Sequence, residues 1–356
     1  MAQLQGTDIA DLVTTTLNEL GENKFTDLMS DYQNTIALKR LIKKNKMSFD
    51  AGPQVEFRII TDDNQSARFV GLGAVDIVDI PNVMTKGVVD WRHITWNWAI
   101  ERRMIAMNRS PRKIVDITKI ERITALGSAI KKFENAFWRV PAVTDLVTAY
   151  GIPYYVVKSN TAAIAANNDG FNGLVPSGYT LVANLNPSTA ANNRWRNYAT
   201  QYTTVSKDDL IRKWRRMAMY TEFTPLVDDM PVYNLGDDYG HYTNYSVYGT
   251  CVEILESQNE NLGDDIAPME GKLKFKRGNV VFVKELDLDT TNPVYSLNWG
   301  ELFTMGLRGE WMNETTIPIV PGQHTVTATH TDCTFNLLCR NRRRQGVLAT
   351  NTTMGY

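Results

Sequence analysis

The sequence predicts an α+β fold of roughly two or three packed units, and three patterns carry this prediction. Apolar residues recur at helical spacing over 1–50 and again over 110–139. Between these helices, apolar and polar residues alternate as they do in β-strands. The chain closes, over 300–356, with further strand-like segments. With 356 residues, 43% of them hydrophobic and 22% charged, the chain can bury a sizeable core.

The N-terminal segment predicts two helices that form a polar arm. The second helix has apolar residues at helical spacing from Phe25 to Ile36 and runs into a basic stretch. That stretch contains Lys39, Arg40, Lys43, Lys44 and Lys46. Clustered cations of this kind favour contact with nucleic acid or an acidic partner, or else a solvated helix face. A Gly-Pro pair at 52–53 ends the helix.

Residues 54–98 predict a long β-hairpin and an adjoining strand. Alternating apolar residues begin at Val55, an Asp-Asp-Asn turn follows at 62–64, and a return run spans 67–80. A two-stranded ribbon alone is marginally stable in water. We therefore expect the ribbon to rest on another surface, and a neighbouring subunit is one possibility.

The strongest predicted helix spans 110–139. Ser110 suits the N-cap and Pro111 the first helical position, and isoleucine, leucine and phenylalanine residues then recur every three or four positions. Pro141 ends the pattern. At 1.5 Å per residue, such a helix is about 40 Å long.

The region 145–299 has a mixed pattern. It predicts a strand at 152–157 (IPYYVV), a long surface loop at 159–194, and a helix that opens with a capping box at Ser206. That helix has an apolar face, and its remaining face carries Arg212, Lys213, Arg215 and Arg216.

The closing region, 300–356, predicts strands separated by a basic turn. The turn contains Arg340, Arg342, Arg343 and Arg344. Three interpretations fit these arginines: contact with phosphate or nucleic acid, pairing with carboxylates of a neighbouring subunit, or a solvated turn.

Composition and motifs argue against several classes of protein. The formal net charge is 38 − 39 = −1, which disfavours a general nucleic-acid or membrane binder unless charge is segregated along the chain. The sequence contains neither a CxxC pair nor an HExxH, P-loop or GxSxG motif. It also has no apolar run long enough for a membrane helix and no signal-peptide pattern. We predict no catalytic, cofactor-binding or metal-binding residues.

Two pairs of carboxylates are the only remaining candidates for catalysis. Glu310 and Glu314 form one pair, and Asp287 and Asp289 form the other. Glycosidases use paired carboxylates of this kind, so a polysaccharide-acting hydrolase stays as an alternative function.

Three segments, together with the order of the elements, resemble the major capsid proteins of tailed bacteriophages, which have the Hong Kong 97-like fold. The stretch SPRKIVDITKIERITALGSAIKKFENAFWRVP resembles the spine helix of that family. The passage from LKFKRGNVVFVKEL through TTNPVYSLNWGELFTMGLRGEWMNE and the closing CTFNLLCRNRRRQGVLAT resemble later strands of that fold.

The resemblance implies five segments. They are an N-terminal arm (1–53), an E-loop β-hairpin with its adjoining strand (54–98), a peripheral or P domain with the spine helix (99–146), an axial or A domain (147–299), and the closing β-strands of the P domain (300–356). Because 1–53 is short for a cleaved scaffolding segment, we do not expect N-terminal processing. Some members of the family cross-link Lys to Asn between subunits, but the Lys, Asn and catalytic Glu that this needs are not identified in this sequence, so we make no prediction of a cross-link.

The resemblance also implies a function. The chain is expected to assemble with itself as hexamers and pentamers into an icosahedral head that encloses double-stranded DNA. It would be located in the virion and assembled in the host cytoplasm, without a membrane. Portal, scaffolding and decoration proteins are implied partners, and packaged DNA is an implied non-specific contact. The basic residues of 39–46 and 340–344 are the candidate subunit-facing or DNA-facing groups. A nanocompartment shell of the same fold is an alternative.

Overall fold

The computed structural model describes residues 35–42, 47–61, 67, 69–73, 83–107, 117–158, 170–222, 238–256, 274–275, 278–318 and 322–350. Helices and strands are both well represented, which confirms the predicted α+β class. The helices in these ranges are α1 (Ile36–Leu41), α2 (Arg102–Met107), α3 (Ile117–Phe137), α4 (Ile152–Tyr155), α5 (Arg212–Thr221) and α6 (Tyr245–Glu256).

The strands form two larger sheets and a separate ribbon. The five-stranded sheet contains β1 (Ser48–Asp50), β4 (Arg92–Glu101), β11 (Leu302–Leu307), β12 (Asn313–Ile317) and β13 (Val326–Cys339). The seven-stranded sheet has the order β5-β6-β14-β10-β7-β9-β8, with β5 (Gly170–Gly173), β6 (Asn197–Tyr202), β7 (Tyr239–Thr243), β8 (Lys274–Phe275), β9 (Gly278–Phe282), β10 (Val294–Asn298) and β14 (Gly346–Thr350). The ribbon consists of β2 (Gln54–Ile60) and β3 (Met84–Asp90).

The 14-residue strand β13 organises the five-stranded sheet. One edge of β13 pairs with β4 along 326–335, and the opposite edge pairs first with β12 and then with β11. Strand β1 adds parallel to β11 at the outside. The sheet therefore joins segments from the start, middle and end of the chain.

The closing region contributes to both sheets. After β13, the basic turn leads into β14, which lies in the seven-stranded sheet between β6 and β10. The segment 300–356, which the resemblance implied as one unit, thus crosses from one sheet to the other at residues 340–345.

The predicted long helix is confirmed over 117–137, while Ser110 and Pro111 lie outside the described residues. Helix α3 packs its aromatic side chains on the five-stranded sheet. The ring centroid of Phe133 lies 5.1 Å from that of Phe335 on β13 and 6.2 Å from that of Trp96 on β4. These contacts place the centre of the core between α3 and the sheet.

The strand predicted at 152–157 is wrong, because residues 152–155 form the short helix α4. Pro153 lies in its first turn, where the missing amide hydrogen of proline costs no hydrogen bond. The preceding Gly151 packs against the end of α3, so a Cβ atom at this position would lie 2.2 Å from the carbonyl oxygen of Arg139. This close approach of two backbones requires glycine.

The buried carboxylate of Glu134 ties the arm helix to α3. Its oxygens accept hydrogen bonds from the amides of Ala37 at 3.0 Å and Leu38 at 2.8 Å, at the amino end of α1. It also accepts a 2.8 Å hydrogen bond from the indole of Trp138. A carboxylate is favourable here because the first amides of a helix lack intrahelical partners.

We expect Glu134→Ala to lower the free energy of unfolding by about 2–3 kcal/mol, because two buried donors and one partly buried donor lose their carboxylate acceptor. Limited proteolysis should also cleave near 35–42 faster than in the parent chain. The matched control is Lys132→Ala, an exposed change on the same helix. A loss no larger than that of the control would contradict the anchoring role of Glu134.

Candidate assembly surfaces

The base of the β2–β3 ribbon is fixed to the body of the protein. Val55 and Val89 face each other across the ribbon and are both buried. The Phe57 ring lies 6.0 Å from that of Trp195, and the amide of Val88 donates a 3.0 Å hydrogen bond to the carbonyl of Ala183. These contacts hold the ribbon at a defined angle to the body.

The far end of the ribbon exposes apolar side chains instead. Ile60 and Met84 form the last strand pair and are about half exposed. Beyond them, Phe69, Val70 and Leu72 are strongly exposed. Clustered exposed apolar residues on one projecting element are typical of a protein–protein contact. The ribbon therefore has a packed base and an exposed apolar end.

A second exposed apolar element is the loop that follows α3. The Asp145 carboxylate accepts hydrogen bonds from the amides of Val147 at 2.9 Å and Thr148 at 3.0 Å. The Thr148 hydroxyl and these amides lower the pKa of Asp145. The turn displays Val143, Leu146 and Val147 to solvent. A short loop held by its own hydrogen bonds can present apolar side chains at little entropic cost.

We predict that the double variant Leu146→Asp/Val147→Asp folds normally but assembles poorly. Both side chains are exposed, so charge there costs the isolated chain little, whereas burial of two carboxylates at an interface is strongly unfavourable. Light scattering should show at least a tenfold loss of large particles, with unchanged thermal unfolding of the unassembled chain. Thr144→Asp, an exposed change in the same loop, is the control. Normal assembly of the double variant would exclude this loop from the contacts.

The basic turn does not present all its arginines to a partner. Arg342 is fully buried, and its guanidinium donates hydrogen bonds to five acceptors within the chain. The acceptors are the carbonyls of Tyr155, Gly173, Leu174 and Trp195, at 2.7–3.3 Å, and the side-chain oxygen of Asn197 at 3.1 Å. Burial lowers the pKa of Arg342 to about 10. Its role is to join the turn to 155–197.

Arg344 is also buried, and its guanidinium lies 3.7 Å from the carboxylate of Glu301. A contact with DNA or a neighbour requires exposure, so Arg342 and Arg344 leave the set of candidate surface residues. Arg340 and Arg343 are partly exposed and lie over the rings of Phe303 and Phe171, at 4.3 Å and 4.2 Å.

The basic stretch 39–46 is described only in part. Lys39 is exposed, and Arg40 forms an ion pair with Asp238. Lys43, Lys44 and Lys46 lie outside the described residues. The pairing of Arg40 joins α1 to the start of β7, so this arginine has a role within the chain.

Helix α5 carries a basic surface that the sequence indicated only as the solvated side of an amphipathic helix. A π-helical turn, Lys207–Ile211, precedes it, and the Ser206 hydroxyl accepts a hydrogen bond from the Asp209 amide. This confirms the predicted helix start. Trp214 and Met217 are buried, whereas Arg212, Arg215 and Arg216 are exposed.

Three of the four acids considered for catalysis have partners within the chain, and the fourth, Glu310, is exposed. Asp287 accepts a hydrogen bond from the Tyr245 amide, and Asp289 forms an ion pair with Lys158. Glu314 accepts a 2.8 Å hydrogen bond from Arg122, while Glu310 lies in an exposed turn. Asp287 caps a helix and Asp289 pairs with a buried lysine, which gives both acids structural roles.

The described ranges contain neither a metal-binding cluster nor a membrane-spanning helix. No three metal-ligating side chains lie together there. No helix there combines the length and the apolar character needed to cross a bilayer.

Several solved structures that are similar to this chain are capsid structures. The cyanophage A-1(L) capsid asymmetric unit contains a chain with a TM-score of 0.65 and 13% identity, and the match covers 96% of this chain and 99% of that one. The capsid of a native GTA particle gives a TM-score of 0.56 at 10% identity, with 92% and 94% coverage. The capsid of cyanophage P-SCSP1u gives 0.52 at 13% identity, with 99% and 97% coverage.

No protein-family model matches the sequence, and no curated protein is similar to it. The structural matches cover nearly the whole of each chain, so the similarity concerns the complete fold rather than one shared motif. This chain therefore has the fold of these capsid chains.

Proposed function

We propose that this chain is the major capsid protein of a tailed bacteriophage. It assembles with itself into the icosahedral head around double-stranded DNA. The observation that carries the proposal is the β2–β3 ribbon, which is fixed at its base and apolar at its far end, in a chain with the fold of phage capsid chains. The exposed apolar end of the ribbon can be covered by a neighbouring copy of the chain, and a shell repeats this contact at every copy.

We assign the parts of the chain by the order of its elements. The arm is 1–53, the E-loop and adjoining strand are 54–98, and the P domain contains 99–146 with α3 as the spine helix. The A domain is 147–299, and the P domain closes with 300–356. Strand β14 lies in the seven-stranded sheet between β6 and β10, which both belong to the A domain. This position supports assigning β14 to the A domain instead of the P domain.

Other copies of the chain are the main partners. Hexamers and pentamers place the same heterologous contact around a ring, so one patch on each copy meets a different patch on the next. The near-zero net charge limits repulsion between densely packed copies. Portal and scaffolding proteins are further proposed partners, as is a decoration protein. The protein is located in the virion, after assembly in the host cytoplasm.

The test is to express the full chain in bacteria and to measure its mass by size-exclusion chromatography with light scattering. The proposal predicts particles of many copies, or rings of five or six. Addition of a scaffolding protein from the same phage should convert such rings into shells. A stable 40.3 kDa monomer under both conditions would contradict the proposal.

A further inference from the structure

We propose that the exposed face of α5, together with Arg343, binds the phosphate backbone of the packaged DNA without sequence preference. This inference rests on the proposed capsid function and adds to it a specific DNA-facing surface. The basic stretch 39–46 is a separate region and is not part of it.

The surface begins with three arginines on one helix. Arg212 and Arg216 are one turn apart, about 6 Å along the helix axis, and Arg215 lies beside them. All three are exposed, while Trp214, Met217 and Ala218 fix the opposite face of α5 in the core. The three arginines therefore lie on the same solvent-facing side of the helix.

A row of aromatic rings connects these arginines to the basic turn. Arg216 lies 5.7 Å from the ring centroid of Tyr220, which stacks on Tyr198 with centroids 5.9 Å apart. Tyr198 contacts Phe171 edge-on at 5.8 Å, and Arg343 lies 4.2 Å over the Phe171 ring. We call Arg212, Arg215, Arg216 and Arg343 the arginine row. Packing of α5 against the turn 342–344 keeps the two parts of the row adjacent.

The local charge balance favours an anionic ligand. Exposed Lys207 and Arg194 add further cations at the two ends of the surface. Burial, and next the neighbouring charge of Arg194, lower the pKa of Arg343, so Arg194 and Arg343 are close enough to repel each other. The nearby acids are Asp208, Asp209 and Glu222, and Asp209 already pairs with Lys213. A polyanion bound beside the turn reduces the repulsion between Arg194 and Arg343.

Arginine is well suited to binding the phosphate groups of DNA. Guanidinium groups bind phosphate oxygens through two parallel hydrogen bonds, and stacking on aromatic rings orients the guanidinium planes before binding. The regular spacing of DNA phosphates lets many copies in a shell make the same weak contact. Contact to the backbone alone carries no sequence information, which suits a container for a whole genome.

The test measures binding of a short fluorescent DNA duplex to the full unassembled chain across a salt series. The variant is Arg212→Gln/Arg215→Gln/Arg216→Gln. We expect affinity to fall at least about tenfold at low salt, and the slope of log K against log salt to decrease in magnitude by about 2–3. Arg212→Lys/Arg215→Lys/Arg216→Lys should retain the slope, because non-specific binding needs the charge.

The matched control, Arg103→Gln/Lys132→Gln/Arg139→Gln, removes the same charge from exposed positions elsewhere. It should bind DNA as the parent chain does. Equal losses in the control and the α5 variant would overturn the inference, as would an unchanged slope in the α5 variant. Shell formation is measured separately, and the α5 variant should still form shells. Loss of shells with normal DNA binding would instead assign the arginine row to a contact between copies.

Discussion

Replacement of residues 62–82 by Asn-Gly should abolish closed shells and leave the monomer folded. The amide of Thr61 donates a 3.0 Å hydrogen bond to the carbonyl of Val83, so these two residues can be joined by a two-residue hairpin turn. The change removes Phe69, Val70 and Leu72 but keeps the strand pairs of β2 and β3. Each copy then lacks the most exposed apolar residues of the ribbon end, which we expect to lie on its neighbour, and keeps only Ile60 and Met84.

The readouts are negative-stain electron microscopy for shells and urea unfolding for the monomer. The free energy of unfolding should not decrease, because the packed base at Val55, Phe57 and Val89 is retained and the shorter connection costs less loop-closure entropy. Glu56→Gln, which removes a surface charge pair with Lys86 but keeps the ribbon, is the control and should assemble normally. Closed shells from the shortened chain would refute the bridging role of the ribbon.

Arg342→Met should lower the free energy of unfolding by about 3–5 kcal/mol, the largest effect on stability that we expect from one substitution. Four backbone carbonyls and the Asn197 side chain lose their buried donor at once. Arg342→Lys should recover only part of this loss, because one ammonium group cannot reach acceptors that the guanidinium fork spans. Urea unfolding of the unassembled chain measures both.

The control for this prediction is Arg343→Met, the neighbouring residue in the same turn. Arg343 is partly exposed and contacts the Phe171 ring, so its loss should cost about 1 kcal/mol or less. Similar losses at both positions would show that the general basic character of the turn matters, rather than the five acceptors of Arg342.

Features that depend on local pattern could be predicted from the sequence. Alternation predicted the first strand of the ribbon, which is present as β2 over 54–60. The return strand predicted at 67–80 is wrong, because β2 pairs with β3 at 84–90 and residues 67 and 69–73 lie outside any strand. The three-and-four spacing of apolar residues predicted α3, and the capping box predicted the start of the helical segment at Ser206. In each case the signal lies within a few consecutive turns or strand residues.

Features that depend on distant partners could not be predicted in this way. A cluster of four arginines within five residues indicates a solvated or ligand-binding turn, yet the acceptors of Arg342 lie between 155 and 197, far away in the sequence. Asn197 adds a related constraint, because it packs so closely on Gly173 that a Cβ there would lie 1.9 Å from its side-chain oxygen. The apolar run IPYYVV fitted a buried strand, but Pro153 and tertiary packing favour a helical turn.

The most direct test of the proposed function is a cryo-electron microscopy reconstruction of the particles formed by the full chain. We predict an icosahedral shell of five-fold and six-fold rings, with the end of each β2–β3 ribbon lying on a neighbouring copy. If the chain stays monomeric even with its scaffolding protein, and solution scattering gives the radius of gyration of about 20 Å that a compact body of this length has, the proposal is contradicted.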